Sequence, residues 1–257
     1  MYNNSANTKF TGKSILFLPS CHSTNTIALE KVRSGEASNG LIVITNEQTA
    51  GRGQRGNTWL SEPGANLTLS VVYLPKNLPV NKNFYLNIIS SLAVSDTINH
   101  FLPKKAISVK WPNDVYCNKK KISGILIETS INQQCISSVV IGIGINVNEQ
   151  ISQIPTAGSM LQETGHSFDL NEVFQILIEN IERYYLLLIN ESYEELFVKY
   201  SEKMFLRHEK HLFRDSTGEF NGTITGITEN GQLTIQKDSG KMVTYHFKEV
   251  EYIIQSS

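Results

Sequence analysis

Apolar positions recur along this chain with two different periods, and the switches between them outline its elements. Residues 15–18 form a short apolar run that predicts a strand. After Ser23-Thr24, which suit a helix start, Ile27, Ala28, Leu29 and Val32 share one helical face that ends near Gly35. Residues 41–44 read as a second strand, and residues 66–74 alternate as a third. Residues 84–101 return to helical spacing through Tyr85, Ile88, Ile89 and Leu92. Three strand-like segments follow, 107–111, 122–128 and 135–145, joined by short polar turns. Strands linked by tight turns favour an α+β class, a mixed and largely antiparallel sheet with helices on one side.

Residues 1–13 are polar and are expected to be loose. Residues 147–158 are polar, contain Pro155 and lack a period, which predicts a mobile loop. Asp169 with Glu172 marks a helix start, and Val173, Phe174, Leu177, Ile181, Tyr184 and Leu188 continue one stripe. A second helix is expected over 193–204. Residues 223–228 and 232–236 flank Glu229-Asn230-Gly231, a hairpin with Asn-Gly as its turn. Residues 241–247 and 250–254 add strands. The tail therefore reads as a small C-terminal β-barrel, dividing the chain into units 1–205 and 206–257.

Composition narrows the partners. A net charge of −1 gives no global field for nucleic acid or an anionic membrane, so positive character must be local. No apolar stretch approaches the roughly 18 residues of a membrane span, and the N-terminal run lacks the features of a secretory signal. Cys21, Cys117 and Cys135 are odd in number and widely spaced, which predicts reduced thiols and a cytoplasmic setting.

The candidate chemistry begins at Gly51-Arg52-Gly53-Gln54-Arg55-Gly56, which satisfies G-x-G-x-x-G after an apolar strand. Residues 57–64 carry turn signals rather than a helical period, and residues 63–95 contain no Asp or Glu for a ribose hydroxyl. The dinucleotide reading therefore fails. Glycine lets backbone approach an anion closely, and guanidinium forks pair with phosphate or carboxylate. Two further segments join glycine, cation and amide groups. One is Lys110-Trp111-Pro112-Asn113-Asp114 with Lys119-Lys120-Lys121-Ile122-Ser123-Gly124-Ile125-Leu126-Ile127-Glu128 after it; the other is Ile141-Gly142-Ile143-Gly144-Ile145-Asn146-Val147-Asn148. Ser23-Thr24-Asn25 completes the set.

Together these segments resemble the biotin–protein ligases. That family carries a G-R-G loop followed by W, then K-W-P-N-D, K-x-x-G-I-L-x-E and G-x-G-x-N, in this order. The resemblance is close over residues 14–150 and looser through the later helices and the barrel. It implies a class II synthetase-like catalytic fold, with ATP and biotin as substrates and Mg²⁺ in attendance. It implies two steps: biotin and ATP give biotinyl-AMP and pyrophosphate, then a lysine of a biotin carboxyl carrier domain attacks the adenylate. It implies further that the acceptor belongs to a biotin-dependent carboxylase, that no nucleic acid or membrane takes part, and that the protein is a monomer or homodimer.

The resemblance assigns Arg52, Lys121 and Asp114 to catalysis. Arg52 would bridge the biotin carboxylate and phosphate, Lys121 would hold the carboxylate during transfer, and Asp114 would orient the acceptor lysine. Ser23, Thr24, Asn25 and Gln48 would bind the ureido head, with Gly53 and Gln54 in the same site. Gly124, Gly142 and Gly144 would leave room for the ring system. Arg55, Lys110 and Asn113 would join Arg52 and Gln54 around the ATP phosphates, Asn113 there or at a metal, while Trp59 and Asn146 meet the adenine or its loop. No metal ligands are assigned. Many relatives have arginine where this chain has Gln54, which places more of the grip on Arg52 and Arg55. The physical need is clear: two like charges about 4 Å apart repel by roughly 4 kcal/mol at an effective dielectric of about 20, on the order of a thousandfold in rate. Fixed cations remove that penalty.

Plainer roles fit several of these residues. Lys119 and Lys120 read as a solvated hairpin tip, Trp111 as core, and Cys21 and Cys117 as structural thiols. Gly142 and Gly144 also relieve strand crowding. His208-Glu209-Lys210-His211 lacks a third metal ligand. Some relatives begin with a helix-turn-helix domain; only residues 1–13 precede the first strand here, so DNA binding by that route is not expected. Two rivals remain: a lipoate–protein ligase, disfavoured by G-R-G-Q-R-G and K-W-P-N-D, and a biotin-sensing regulatory module, disfavoured by neutral charge.

Overall fold

The computed structural model describes Tyr2 and residues 5–253. Strand β1 (Ile15–Cys21) leads to helix α1 (Thr24–Arg33), and β2 (Ile42–Gln48) runs into the glycine loop with its 3-10 turn at Gln54–Gly56. Next come β3 (Leu67–Tyr73), a two-residue β4 (Leu78–Pro79) and α2 (Phe84–Phe101). Strands β5 (Ile107–Lys110), β6 (Asp114–Cys117), β7 (Lys120–Asn132) and β8 (Cys135–Ile145) succeed one another through short turns. Helices α3 (Met160–Thr164), α4 (Leu170–Ile189) and α5 (Tyr193–Glu202) follow. The chain ends in β9 (Lys210–Asp215), β10 (Gly218–Ile227), β11 (Leu233–Lys237), β12 (Met242–Tyr245) and β13 (Val250–Tyr252).

Among the described residues, one sheet has the order β1-β2-β3-β8-β7-β6-β5 with β4 on β8, and only its β1–β2 pair is parallel. Alternation divides its faces. Ile42, Ile44, Leu67, Leu69, Val71, Ile141 and Ile143 turn to the main core with α2, α4 and α5. Helix α2 is buried along most of its length, small polar Ser90, Ser91, Ser95 and Thr97 included, because it lies between the sheet and the two later helices. The opposite face carries Val43, Val72 and Val140 beneath α1, which packs there through Ala28. Further along that second face the residues shrink to Thr68, Ser70, Gly124, Gly142 and Gly144, in register across β3, β8 and β7. Small side chains in the middle of a sheet leave a hollow, and this one positions the site.

A second, five-stranded antiparallel sheet, β12-β11-β10-β9-β13, stands where the small barrel was expected, and among the described residues β12 and β13 do not pair with each other. Its Phe213, Ile224, Leu233, Ile235 and Tyr252 belong to the same continuous apolar cluster as the first sheet. The Asn230-Gly231 turn forms as expected, with Gly231 at φ 80°, and docks against the first sheet: Trp111 Nε1 donates to Gly231 O at 2.8 Å. Trp111 is accordingly core. The expected strand over 250–254 spans Val250–Tyr252, and Ile254 lies outside the described residues.

The N-terminal segment corrects its sequence reading. Ala6, Thr8 and Thr11 are buried, and the chain here is clamped rather than loose. Glu182 on α4 accepts backbone N–H bonds from Lys9, Phe10 (3.0 Å) and Thr11 (2.7 Å). Polarity alone hid this, because the segment is held through its backbone. Burial pushes the Glu182 carboxyl up, but the N–H groups of Thr11, Lys9 and Phe10 outweigh it and hold it below the usual carboxylate range. A carboxyl depressed in the folded state adds stability above its unfolded value of about 4.3 and loses it as pH falls through the folded value. Amide protection at residues 9–11 is therefore expected to collapse on acidification below about pH 4, and Glu182→Gln to flatten that dependence. Hydrogen exchange followed from pH 5 downward checks it; protection that ignores pH rejects the clamp.

Short elements were also missed. Strand β6 begins at Asp114, inside a segment read for its chemistry, and α3 is too short to show a period. Residues 147–158 are irregular as expected, yet their end is tied down: Lys121 N donates to Thr156 O and Gly158 N to Lys121 O.

Candidate active site

The hollow opens into a cavity of about 760 Å³ lined by the glycine loop, α1, β7, β8, the 110–114 segment and the end of the second sheet. At one end lies a buried neutral pocket. Ser23, Thr24 and Asn25 stand at the start of α1, all nearly inaccessible. Ser23 is the N-cap by position, but its hydroxyl makes no capping bond; Gln48 Oε1 instead accepts from Thr24 N at 2.8 Å. Thr24 Oγ1 reaches the same oxygen at 3.2 Å. Ser70 Oγ lies 2.6 Å from Asn25 Oδ1 and 2.8 Å from Thr24 Oγ1, which joins these groups in one uncharged network. The pocket is therefore uncharged and rich in oxygens that can accept from an incoming N–H.

The three floor glycines are required, though by side chains of the chain itself. A Cβ at Gly142 would lie 2.8 Å from Asn25 Cγ, one at Gly124 2.8 Å from Trp59 Cζ3, and one at Gly144 2.7 Å from Trp59 Nε1. Trp59 thus lies across the floor, where the sequence reading had placed ligand rings. Its indole N–H is buried without an acceptor among the described residues, so a ligand that displaces or bonds it recovers a hydrogen bond.

Cations line the same cavity. Lys121 Nζ pairs with Asp114 Oδ1 at 2.8 Å, each about one-third exposed. Lys110 is packed against the Tyr252 ring at 4.9 Å and the Tyr116 ring at 5.5 Å. Burial pushes its ammonium pKa down; Asp114 opposes that, Lys121 adds to it and Glu251 opposes it. Arg52 pairs with Glu128 at 2.6 Å. Gly53 and Gln54 line the cavity, while the Arg55 side chain lies outside what the structure describes.

Two expected nucleotide contacts serve another purpose. Asn113 is buried and its amide is committed: Oδ1 accepts from Gln54 Nε2 at 2.8 Å, and Nδ2 donates to Asn87 Oδ1 at 2.9 Å. Gln54 Nε2 also lies 3.2 Å from Ile125 O, so this residue ties the glycine loop to β7. Asn146 does not line the cavity; its Nδ2 donates to Gly158 O at 3.0 Å and fixes the end of the 147–158 loop. Ser70, Glu128, Lys248, Glu251 and Tyr252 are site residues that sequence reasoning left without a role. The Gly142 partnership of Ser70 follows only from strand register. The three cysteines form no disulfide, and among the described residues no group of three His, Cys, Asp or Glu is placed to hold a metal. No helix of the described residues is long and apolar enough to cross a membrane.

Residues 17–146, half of the chain and the whole of this floor, match the Biotin/lipoate A/B protein ligase family. The chain belongs to that family. Its relatives include a biotin–[acetyl-CoA-carboxylase] ligase of Paracoccus denitrificans, 30% identical over 86% of this chain and 93% of that one. The bifunctional ligase/repressor BirA of Escherichia coli K12 is 30% identical over 88% of this chain and 70% of its own length. Among solved structures, a biotin protein ligase from Aquifex aeolicus in complex with biotin and ATP superposes with a TM-score of 0.75 at 27% identity, covering 93% of this chain and 98% of that one. A family that joins biotin and lipoate ligases leaves the head group to be decided by the pocket.

Proposed function

We propose that this protein adenylates biotin with ATP, releasing pyrophosphate, and passes the biotinyl group to a lysine of a carrier domain, releasing AMP. The carrying observation is the buried, uncharged pocket of hydroxyl and amide groups at one end of a glycine-floored cavity whose other end holds Lys110 and Lys121. A urea head supplies two N–H donors to that pocket and a carbonyl acceptor. A dithiolane supplies neither and leaves buried polar groups unpaired, a discrimination of up to about 10⁴-fold. In this reading Arg52 and Lys121 bring the biotin acid and the α-phosphate together, and Lys110 adds positive potential. Asp114, already beside one lysine amine at Lys121, suits it to receive a second from the acceptor.

Mg²⁺ would arrive on the nucleotide. Asp114 is paired and Asn113 is committed, so these side chains do not build a metal site of their own. We read 1–205 as the catalytic unit and 206–257 as a unit that completes the cavity wall through Phe247, Lys248, Glu251 and Tyr252. Incubating the protein with ATP, Mg²⁺ and an acceptor domain, with biotin or lipoate supplied in turn, tests the proposal by mass spectrometry. A biotin adduct and no lipoate adduct is expected. A lipoate adduct alone would make it a lipoate ligase.

A further inference from the structure

Glu128 is the last residue of the K-x-x-G-I-L-x-E motif, within β7, and has no part in the chemistry described above, yet it bonds both Asn25 and Arg52. One oxygen, Oε2, accepts from Asn25 Nδ2 at 2.9 Å and from Arg52 Nη2 at 2.6 Å. Asn25 is in turn the wall of the neutral pocket, with Oδ1 held by Ser70. A continuous chain of contacts thus runs from the pocket to the arginine that meets the ligand's acid group. The Arg52–Glu128 pair also borders a second cavity of about 510 Å³ behind the glycine loop, so the guanidinium has space to change partners.

We propose that Glu128 is a positioning residue, a built-in carboxylate that holds Arg52 until the ligand's own acid group replaces it, and that links this exchange to head-group binding through Asn25. The exchange is one carboxylate for another on the same guanidinium. It keeps Arg52 neutralised and ordered in the empty site. It also makes a stray anion without the head group compete against Glu128 with no help from the pocket. A ligand carrying both parts engages Asn25 and the arginine together, and the shared oxygen makes each event favour the other.

The inference rests on the placement of the biotin acid at Arg52, and the test separates the two. Calorimetric titration of the full chain with biotin and with biotin amide, whose tail is uncharged, reads how much affinity the acid group contributes. The wild type is expected to prefer biotin. In Glu128→Gln that preference should rise about three- to tenfold, the scale of a partly exposed pair between charged groups. Glu128→Asp, one methylene too short to serve both partners, should raise it likewise without a change of net charge, and carries the test should the glutamine variant not fold. A purely structural Glu128 weakens both ligands alike and leaves the ratio alone, which overturns the proposal. A wild type that shows no preference overturns the Arg52 placement itself.

Discussion

Lys121→Ala is expected to reduce adenylate formation by about a thousandfold, measured as pyrophosphate release at saturating biotin and ATP. The magnitude follows from the repulsion of roughly 4 kcal/mol between a carboxylate and a phosphate oxygen brought to about 4 Å without screening. The structure also says why the fold should survive. Lys121 is anchored by its backbone, through Thr156 O and Gly158 N, and those bonds do not need the side chain. Its partner Asp114 is one-third exposed and remains hydrated when left alone. A solvent-accessible pair of this kind contributes about 0–1 kcal/mol to stability. The melting temperature should therefore hold while the rate collapses, and Lys121→Arg should recover part of the rate by restoring charge. Near-normal pyrophosphate release from the alanine variant would refute the assignment.

Gly142→Ala carries the second large effect, on binding rather than chemistry. The added methyl lies 2.8 Å from Asn25 Cγ, and Asn25 has no free direction of retreat: Ser70, Glu128 and Leu126 O hold it. Overpacking of this sort costs about 1–3 kcal/mol. Because the displaced group is the head-pocket wall, biotin affinity should fall about five- to 150-fold. ATP affinity measured alone should stay within about threefold, since the cationic end lies elsewhere on the floor. Calorimetry with each ligand separates the two, and unchanged biotin affinity would mean that Asn25 is not the wall of the head pocket.

Gly124 and Gly144 show that a glycine motif can serve a neighbour the sequence does not name. Their spacing marks a place where something approaches the sheet closely, and the sequence reading offered ligand rings. The approaching group in this structure is the indole of Trp59, from the loop itself. Asn113 shows the reverse case. Its amide reads as a polar group free for a nucleotide, and only the register of Gln54 and Asn87 around it reveals that its bonds are spent inside the protein.

The chain's periodicity and its four ordered motifs were sufficient for the fold class, the position of the long helices, the glycine loop and the cations that line the cavity. These depend on residues near one another in sequence, where spacing alone sets which side chains share a face. The clamp on residues 9–11, the Ser70–Asn25–Glu128 chain, the commitment of Asn113 and the share of the cavity wall taken by residues 247–252 were decided only by tertiary structure. Each joins segments tens to more than a hundred residues apart, most of them through a few donor–acceptor pairs. Hydrogen bonds of that kind leave no period to read; they exist only once strand register and helix packing bring the two atoms within about 3 Å.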